Sequence, residues 1–215
     1  MEQGGWVMWP LLVMSVVSLT LSFERLLFWM TTNRPGRARW VITLCDLFRA
    51  GNRDGVQSAI RGDSSVYARA AASIQTRGAS EAAIVESIES VRPSIERFGA
   101  MQSTIITAAP LLGILGTVTG IIQSFSLLSD GVSERVTDPS LVAGGVAEAL
   151  ITTAFGMVVA IMALIPYSIY RAMSDRCFGR LEVIAAAAEQ GATESASKAS
   201  NANKRTEPQR IPVAN

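Results

Sequence analysis

The chain has 215 residues, is 49% hydrophobic and carries a formal net charge of +1. This composition is typical of a membrane protein with modest water-exposed parts, and the charge gives no indication of nucleic-acid binding. Histidine is absent and lysine occurs only at Lys198 and Lys204, which excludes a histidine-based catalytic triad, a histidine metal site and a phosphate-binding loop ending in Gly-Lys. We therefore expect neither an enzyme nor a bound cofactor.

The first transmembrane helix is predicted within residues 1–30. The stretch from Gln3 to Phe23 carries no charge and has the length, roughly 20 residues, that spans a bilayer. A secretory signal would place positive charge before a shorter apolar core, whereas this segment begins with Glu2. We therefore expect the helix to be retained, with its N-terminus outside.

A cytoplasmic helical domain is predicted for residues 34–98. This segment contains arginines and acidic residues throughout and has no apolar run of spanning length. Glycine-containing breaks divide it into three or four helices, for which Asp54 and Ser80 are candidate N-caps. Its last helix either continues unbroken into the membrane or bends at Pro93.

The second transmembrane helix is predicted for residues 99–129, which carry no charge. Pro110 leaves one backbone carbonyl of this helix without its intrahelical donor, which lipid tolerates only where another group satisfies it. Small residues three or four positions apart let a neighbouring backbone approach closely. We interpret three glycines as such packing positions: Gly113, Gly116 and Gly120.

The third transmembrane helix is predicted for residues 139–170, after a short periplasmic loop at residues 130–138. Glu148 is its only ionisable side chain apart from two tyrosines near its end. A carboxylate in lipid costs about 2.5–3.5 kcal/mol on insertion scales, so it usually faces a protein interior or a water-filled path. The alternative is that Glu148 lies at the outer interface with its carboxylate reaching water. Residues 171–215 are expected to form a helix and a disordered tail from about Gly191.

Orientation follows from the arginines beside the membrane ends, because cytoplasmic flanks carry the excess of lysine and arginine. The middle domain and the C-terminal segment are rich in arginine, whereas the loop between the second and third helices contains only one arginine, Arg135. We therefore expect a periplasmic N-terminus and a cytoplasmic C-terminus. The cysteines, Cys45 and Cys177, would then both be cytoplasmic, and without a C-x-x-C pair they support no redox or zinc chemistry.

Threonine hydroxyls are predicted to lie at one depth in the second and third helices. Thr117 lies roughly 13 residues before the connecting loop and Thr152 and Thr153 lie roughly 14 residues after it, at a rise of about 1.5 Å per residue. Hydroxyls at a helix interface bond each other or water. Each can instead bond a carbonyl of its own helix.

The third helix carries two distinct faces. Glu148, Thr152, Phe155 and Val159 recur at helical spacing on one face. The other face has small residues: Gly145, Ala149, Thr153, Gly156 and Ala160. Three spans are too few to cover both faces, so we predict a ring-forming oligomer, by analogy with the closed symmetry of soluble homo-oligomers.

Two stretches in these helices read APLLGILGTVTGI at 109–121 and GGVAEALITTAFGMVVAI at 144–161. They resemble the two signature helices of the MotA/TolQ/ExbB proton-channel family. The first helix, with WPLL and FERLL, resembles the ExbB/TolQ branch, and three spans rather than four favour that branch over the flagellar stator. The resemblance covers all three spans in their order.

The resemblance implies a complex of the bacterial inner membrane that couples the proton-motive force to mechanical work on the cell envelope or to TonB-dependent import. Several copies, five in the family, surround a pair of single-span helices of an ExbD/TolR-type partner, whose membrane aspartate binds the proton. A TonB- or TolA-type energy transducer is a further implied partner, and membrane lipid surrounds the ring. By motif position, Glu148, Thr117 and Thr153 match family positions that line the central passage, and Pro110 matches the family proline.

Three alternatives stay open. Thr153 lies about 140° around an ideal helix from Glu148, whereas Thr152 lies beside it; the family pattern favours Thr153, and Thr152 is held in reserve. The threonine hydroxyls and the carboxylate suit sodium as well as protons as the transported ion. The alternative function is a passive membrane scaffold, in which the glycine faces build an oligomer without ion conduction.

Overall fold

The computed structural model describes residues 6–33, 36–130 and 139–206. Within these ranges the chain forms seven α-helices and no β-strand. The helices are α1 (Met8–Thr32), α2 (Arg37–Arg49), α3 (Arg53–Ile60), α4 (Val66–Arg77), α5 (Glu81–Ile95), α6 (Gly99–Asp130) and α7 (Pro139–Thr206). Most of the predicted periplasmic loop, residues 131–138, lies outside the described residues.

Three of these helices are long and apolar enough to cross a membrane: Met8–Thr32, Gly99–Ser126 within α6, and Ala143–Lys198 within α7. Along α7 the next charged side chain after Glu148 is Arg171, so the apolar part of this helix ends there. The predicted all-α membrane protein with three transmembrane helices is confirmed.

The chain divides into two compact units, which are described separately. The first contains Met1–Trp29 and Glu96–Met173, and the second contains Met30–Ile95 and Ser174–Asn215. The helices α1 and α7 therefore each contribute residues to both units.

The first unit packs α1, α6 and the apolar part of α7 around small and aliphatic side chains. Its core consists of Val7, Leu11, Ile105, Ala109, Val159, Ala160 and Ala163. Alanines on two of the helices allow close approach, and in lipid such van der Waals contact replaces the hydrophobic drive between helices. Large apolar side chains such as Leu111, Ile122 and Ile161 point away from this core and are exposed, as suits a lipid-facing surface.

A buried polar cluster, which we name the Gln102 node, joins the three helices of this unit. The Gln102 amide Nε2 donates to Ser18 Oγ and Ser22 Oγ, both at 3.1 Å, and to the Ala163 carbonyl at 3.3 Å. The Tyr170 hydroxyl donates to the Ser22 carbonyl at 2.6 Å. Gln102 is only 4% exposed, so this amide fixes α1 against both other helices away from competing water.

Replacing Gln102 with leucine is expected to lower the thermal stability of the detergent-solubilised protein. The leucine keeps the volume but leaves the buried Ser18, the half-buried Ser22 and a carbonyl without their common donor, a loss of about 0.6–1.7 kcal/mol by analogy with measured interhelical bonds in membranes. Gln123→Leu is the matched control, because Gln123 is exposed on the same helix. Equal unfolding temperatures for the two variants would show that the node contributes nothing.

The second unit packs α2 to α5 with the later part of α7. Along α7, Cys177, Leu181, Ile184 and Ala188 are buried, and their spacing of three or four residues defines one helical face. Cys45 of α2 is also a buried free thiol, and burial raises its pKa. Burying each large aliphatic side chain stabilises this unit by about 1.5–3 kcal/mol.

Polar caps begin three helices of the second unit. The Asn52 side chain accepts from the Gly55 N–H at 2.9 Å and caps α3, so the predicted cap at Asp54 is wrong. Asp54 lies instead in the first turn of α3, where its charge suits the positive end of the helix dipole. Ser65 caps α4, and the predicted cap Ser80 accepts from the Ala83 N–H at 3.4 Å at the start of α5.

The chain does not continue as one helix from α5 into α6. Pro93 lies within the last turn of α5, and the helix is interrupted before Gly99 by a turn in which Phe98 has a φ of 64°. This left-handed conformation is uncommon for a bulky residue. The guanidinium groups of Arg97 and Arg25 lie 4.6 and 5.7 Å from the Phe98 ring centroid, and these cation–π contacts help to hold the turn.

Beyond Gly191 the structure differs from the expected disordered tail, because α7 continues to Thr206. At Gly191 the helix backbone packs directly against the Phe48 carbonyl at the end of α2. The next turns are exposed and gain helical stability from local sequence, including the Glu194–Lys198 ion pair at 2.8 Å. Residues 207–215 lie outside the described residues.

An ion pair between Arg37 and Asp63 stabilises the second unit where α2 meets the turn before α4. The Ser65 N–H also donates to Asp63 Oδ1 at 2.9 Å. Burial alone would raise the pKa of Asp63, but the hydrogen bonds from Arg37 and Ser65 outweigh it and lower the pKa below its ordinary value of 3.8. Because the folded-state pKa is depressed, this stabilisation is present above that value and is lost as the pH falls.

Replacing Asp63 with asparagine is expected to destabilise the second unit at neutral pH by about 1–3 kcal/mol, because Arg37 loses a charged acceptor. The difference from the unmodified protein should shrink on acidification, measured by thermal unfolding at about pH 7 and about pH 3. Asp46→Asn is the control, since the Asp46–Arg49 pair is largely exposed and such pairs contribute little. A loss that does not change with pH would contradict the assigned ion pair.

Candidate functional site

The α6–α7 interface is built from glycines that bring the two backbones into contact. A Cβ added to Gly113 would lie 3.0 Å from Thr153 Cα, and one added to Gly156 would lie 2.6 Å from the Ala109 carbonyl oxygen. Five glycines have an atom of the facing helix within 4 Å of such a Cβ: Gly113, Gly116, Gly120, Gly145 and Gly156. These are the positions that the sequence predicts for packing, and all of them serve contacts within one protomer.

Two hydroxyls lie together on one flank of this interface, and we name Thr117 and Thr153 the threonine pair. Thr153 Oγ1 donates across the interface to the Gly113 carbonyl at 2.7 Å. Thr117 Oγ1 donates within its own helix to the Ile114 carbonyl at 2.7 Å. Gly113 lies one turn before Thr117, so the two hydroxyls are about one helical turn apart. Both side chains are half-buried.

Thr152 is enclosed between α6 and α7. It is 2% exposed, and its methyl group stands where a Cβ on Gly116 would be, at 2.5 Å from that position. Its hydroxyl donates to the Glu148 carbonyl at 3.2 Å. Thr152 therefore packs within the protomer, although its position on an ideal helix is beside Glu148.

Glu148 lies on the opposite flank of α7 from the threonine pair. It continues the stripe of Phe155 and Val159, which pack with Val7 beside α1, and it is about 140° from Thr153 around the helix. Glu148 is half-buried, and its carboxylate has no hydrogen-bond or ion-pair partner among the described residues. Within one protomer the acid and the threonine pair are thus not brought together.

Pro110 lies inside α6, one turn from Gly113 and on the same side of the helix as the threonine pair. Proline has no backbone N–H, so the Ile106 carbonyl lacks its usual donor four residues later. This leaves a backbone acceptor in the first third of the helix, where other carbonyls are satisfied by the helix itself.

The Gln102 node was not among the predicted site residues. Its signal was the amide itself, because Gln102 stands in the uncharged stretch that forms α6, where an amide needs a partner. The partners of Gln102 could not be predicted from the sequence, since the serines that accept its hydrogen bonds are in α1. No group of three or more potential metal ligands occurs among the described residues.

These features define a multi-pass helical membrane protein with hydroxyls and the acid Glu148 inside its spans. The model of the MotA/TolQ/ExbB proton channel family matches residues 56–183. The chain belongs to this family, and its relatives identify the ExbB/TolQ branch.

The relatives match most of the chain or about a third of it. An ExbB-like biopolymer transport protein of Synechocystis sp., ExbB-like 3, is 33% identical over 184 residues, which are 83% of this chain and 87% of that protein. ExbB-like 1 of the same organism is 35% identical over 185 residues, 78% of this chain and 67% of that protein. The Tol-Pal system protein TolQ of Pseudomonas aeruginosa is 40% identical over 78 residues, 36% of this chain and 32% of that protein. The protein is thus a multi-pass inner-membrane subunit for energy transduction.

Proposed function

We propose that this chain is the channel-forming stator subunit of an inner-membrane motor that couples an ion gradient to mechanical work on the cell envelope or to TonB-dependent import. Several copies, five by the family resemblance, form a ring around single-span helices of an ExbD/TolR-type partner that carries a membrane aspartate. A TonB- or TolA-type protein receives the work. The N-terminus is periplasmic and the C-terminus cytoplasmic, in accordance with the distribution of arginine.

The observation that carries this proposal is the threonine pair on the flank of the α6–α7 interface that α1 leaves uncovered. The contacts of α1 with α6 are made by the Ile105 and Ala109 side of that helix, whereas Thr117 lies on another side. Polar groups kept in a membrane usually face a protein interior or water. An uncovered flank with two hydroxyls therefore suits the wall of an axial passage in a ring.

Glu148 lies near the outer end of α7, and its carboxylate, which has no partner among the described residues, is available to water or to a neighbouring subunit. We assign it to the uptake of cations from the periplasmic side, before they reach the threonine pair. In this arrangement the acid and the hydroxyls act at successive points of a path that the assembled ring completes, which accounts for their separation within one protomer.

In the proposed mechanism, the ion passes from Glu148 to the threonine pair and then to the partner's aspartate. Neutralising that aspartate removes the large cost of moving its charge past apolar wall residues, so the partner helix can step relative to the ring. The transmembrane potential favours inward movement by about 2.3 kcal/mol per charge per 100 mV.

The alternative is a passive scaffold in which glycine faces build an oligomer. The five interface glycines contact the facing helix of the same protomer, so they are not free to build contacts between subunits. This observation favours the channel, because the glycine faces that a scaffold would use to bind other subunits are already occupied within the protomer.

Co-purification and ion flux test the proposal. The full-length chain is expressed with an ExbD/TolR-type single-span protein, the complex is purified and reconstituted in liposomes, and proton uptake is followed with an entrapped pH-sensitive dye while sodium is varied. Uptake driven by an imposed potential is expected to exceed the uptake by liposomes that lack the complex. The scaffold would be supported instead if liposomes that contain a stable ring take up neither protons nor sodium, or if the chain binds no such partner.

A further inference from the structure

Below the threonine pair, toward the Gly99 end, α6 continues to present oxygen atoms on the same flank. Thr107 is exposed and Ser103 is half-buried, although both lie in an apolar transmembrane helix. Ser103 is about 40° and Thr107 about 80° around the helix from Thr117 at 100° per residue. Pro110 lies between them and Thr117, and the carbonyl that it frees belongs to Ile106, about 20° from Thr117.

We infer that these groups form one oxygen track along α6, consisting of the hydroxyls of Thr117, Thr107 and Ser103 and the Ile106 carbonyl, together with the Thr153 hydroxyl at Gly113. The track carries a small cation, as a hydrated proton or water-coordinated sodium ion, from the threonine pair to the inner end of the helix. It rests on the proposed function and adds the inward half of the path to it.

The hydrogen bonds that the track hydroxyls donate leave their oxygen atoms available to coordinate a cation. Thr107 Oγ1 donates to the Ser103 and Thr104 carbonyls at 3.2 and 3.0 Å. Thr117 and Thr153 likewise donate to backbone carbonyls. Because each of these hydroxyls uses its hydrogen on the helix, its oxygen faces outward as an acceptor. A row of acceptors attracts water hydrogens and cations and does not suit anions.

The spacing of the groups suits water-mediated transfer. The track runs over 14 residues, which is roughly 21 Å of helix at 1.5 Å per residue. Along α6 its members are one to six residues apart, and the longest interval, from Thr107 to the Thr153 hydroxyl at Gly113, is about 9 Å, a gap that two ordered waters can bridge. The interior of the protomer offers no such row, because the apolar core of Ile105, Ala109 and Ala160 separates the threonine pair from the Gln102 node.

Below the threonine pair, all members of the track belong to α6. On the same flank of α7, beyond Thr153, the side chains of Met157 and Leu164 are apolar and exposed. The other wall of this half of the path is therefore supplied in the assembled ring by a neighbouring chain. This asymmetry makes single substitutions on α6 informative.

Isosteric removal of the track hydroxyls tests the inference in the reconstituted complex. Thr107→Val and Ser103→Ala are each expected to reduce ion uptake about tenfold, the change that corresponds to one lost hydrogen bond. Thr107→Ser should restore it. Two controls remove hydroxyls that also donate to their own helix: Thr104→Val and Thr119→Val, whose positions are about 140° and 160° from Thr117. Both controls should retain normal uptake.

The outcomes separate this inference from the proposed function. If Glu148→Gln and Thr153→Val stop uptake while Thr107→Val and Ser103→Ala do not, the track is wrong and the channel stands. If none of the four variants changes uptake, the proposed function fails as well. Equal losses in the track and control variants would show a general effect of hydroxyl removal on α6 and would overturn the track.

Discussion

Replacing Glu148 with glutamine is expected to abolish energy-dependent work while the complex still assembles. The substitution keeps the shape of the side chain and removes only its charge and its ability to exchange a proton. Glu148 is half-buried and makes no side-chain bond with any described residue, so assembly should not depend on it. The measurement is ion uptake by reconstituted complexes under an imposed potential, compared with liposomes that lack the complex, with the amount of co-purified partner recorded in parallel.

Glu182→Gln provides the matched control, because Glu182 is an exposed acid further along the same helix and should leave uptake unchanged. Thr153→Val should resemble Glu148→Gln in uptake, but with a modest loss of stability, since it removes the bond to the Gly113 carbonyl. A Glu148→Gln complex that fails to assemble would show that the acid is structural. Full uptake by that complex would remove Glu148 from the path.

Replacing Gly156 with valine is expected to prevent α6 and α7 from packing and so to eliminate the complex. Even a Cβ at this position would lie 2.6 Å from the Ala109 carbonyl oxygen and 3.1 Å from the Gly113 Cα. Backbone cannot move aside as a flexible side chain can, so the loss should reach or exceed the upper value, about 3 kcal/mol, of overpacking in cores. The readout is the yield of partner-bound protein and its unfolding temperature.

Gly144→Val is the control for this substitution, because no described atom beyond the local helix backbone lies within 4 Å of a Cβ at Gly144. Both variants change a glycine of α7 to the same β-branched residue, so they share any effect on helix propensity. Similar yields for the two would contradict the close contact at Gly156. A loss confined to Gly156→Val would locate the effect in the α6–α7 interface.

Helical periodicity and uncharged length were sufficient to predict the three spans, because a run without charge can satisfy its backbone in lipid only as a helix. The same reasoning found the glycines of α6 and α7, since small residues at fixed spacing have few other roles there. It could not decide between Thr152 and Thr153, because both lie near the packed face. That choice depends on which side chain meets Gly116 and which meets the Gly113 carbonyl.

Long-range polar contacts were beyond prediction for a different reason. Gln102 bonds to serines some eighty positions away, and local pattern contains no information on such pairing. The sequence also does not predict the continuation of α7 past Gly191, because its low apolar content is typical of disorder. In the structure, the backbone contact with Phe48 anchors the start of that segment.

The contact between Thr152 and Gly116 has an evolutionary consequence. The threonine methyl occupies the volume that a side chain at position 116 would need, so the two positions share a fixed amount of space. Among homologous chains, alanine at 116 should coincide with glycine or alanine at 152, and threonine at 152 with glycine at 116. Covariation of this kind would record the closeness of the two helices in every genome that encodes the protein.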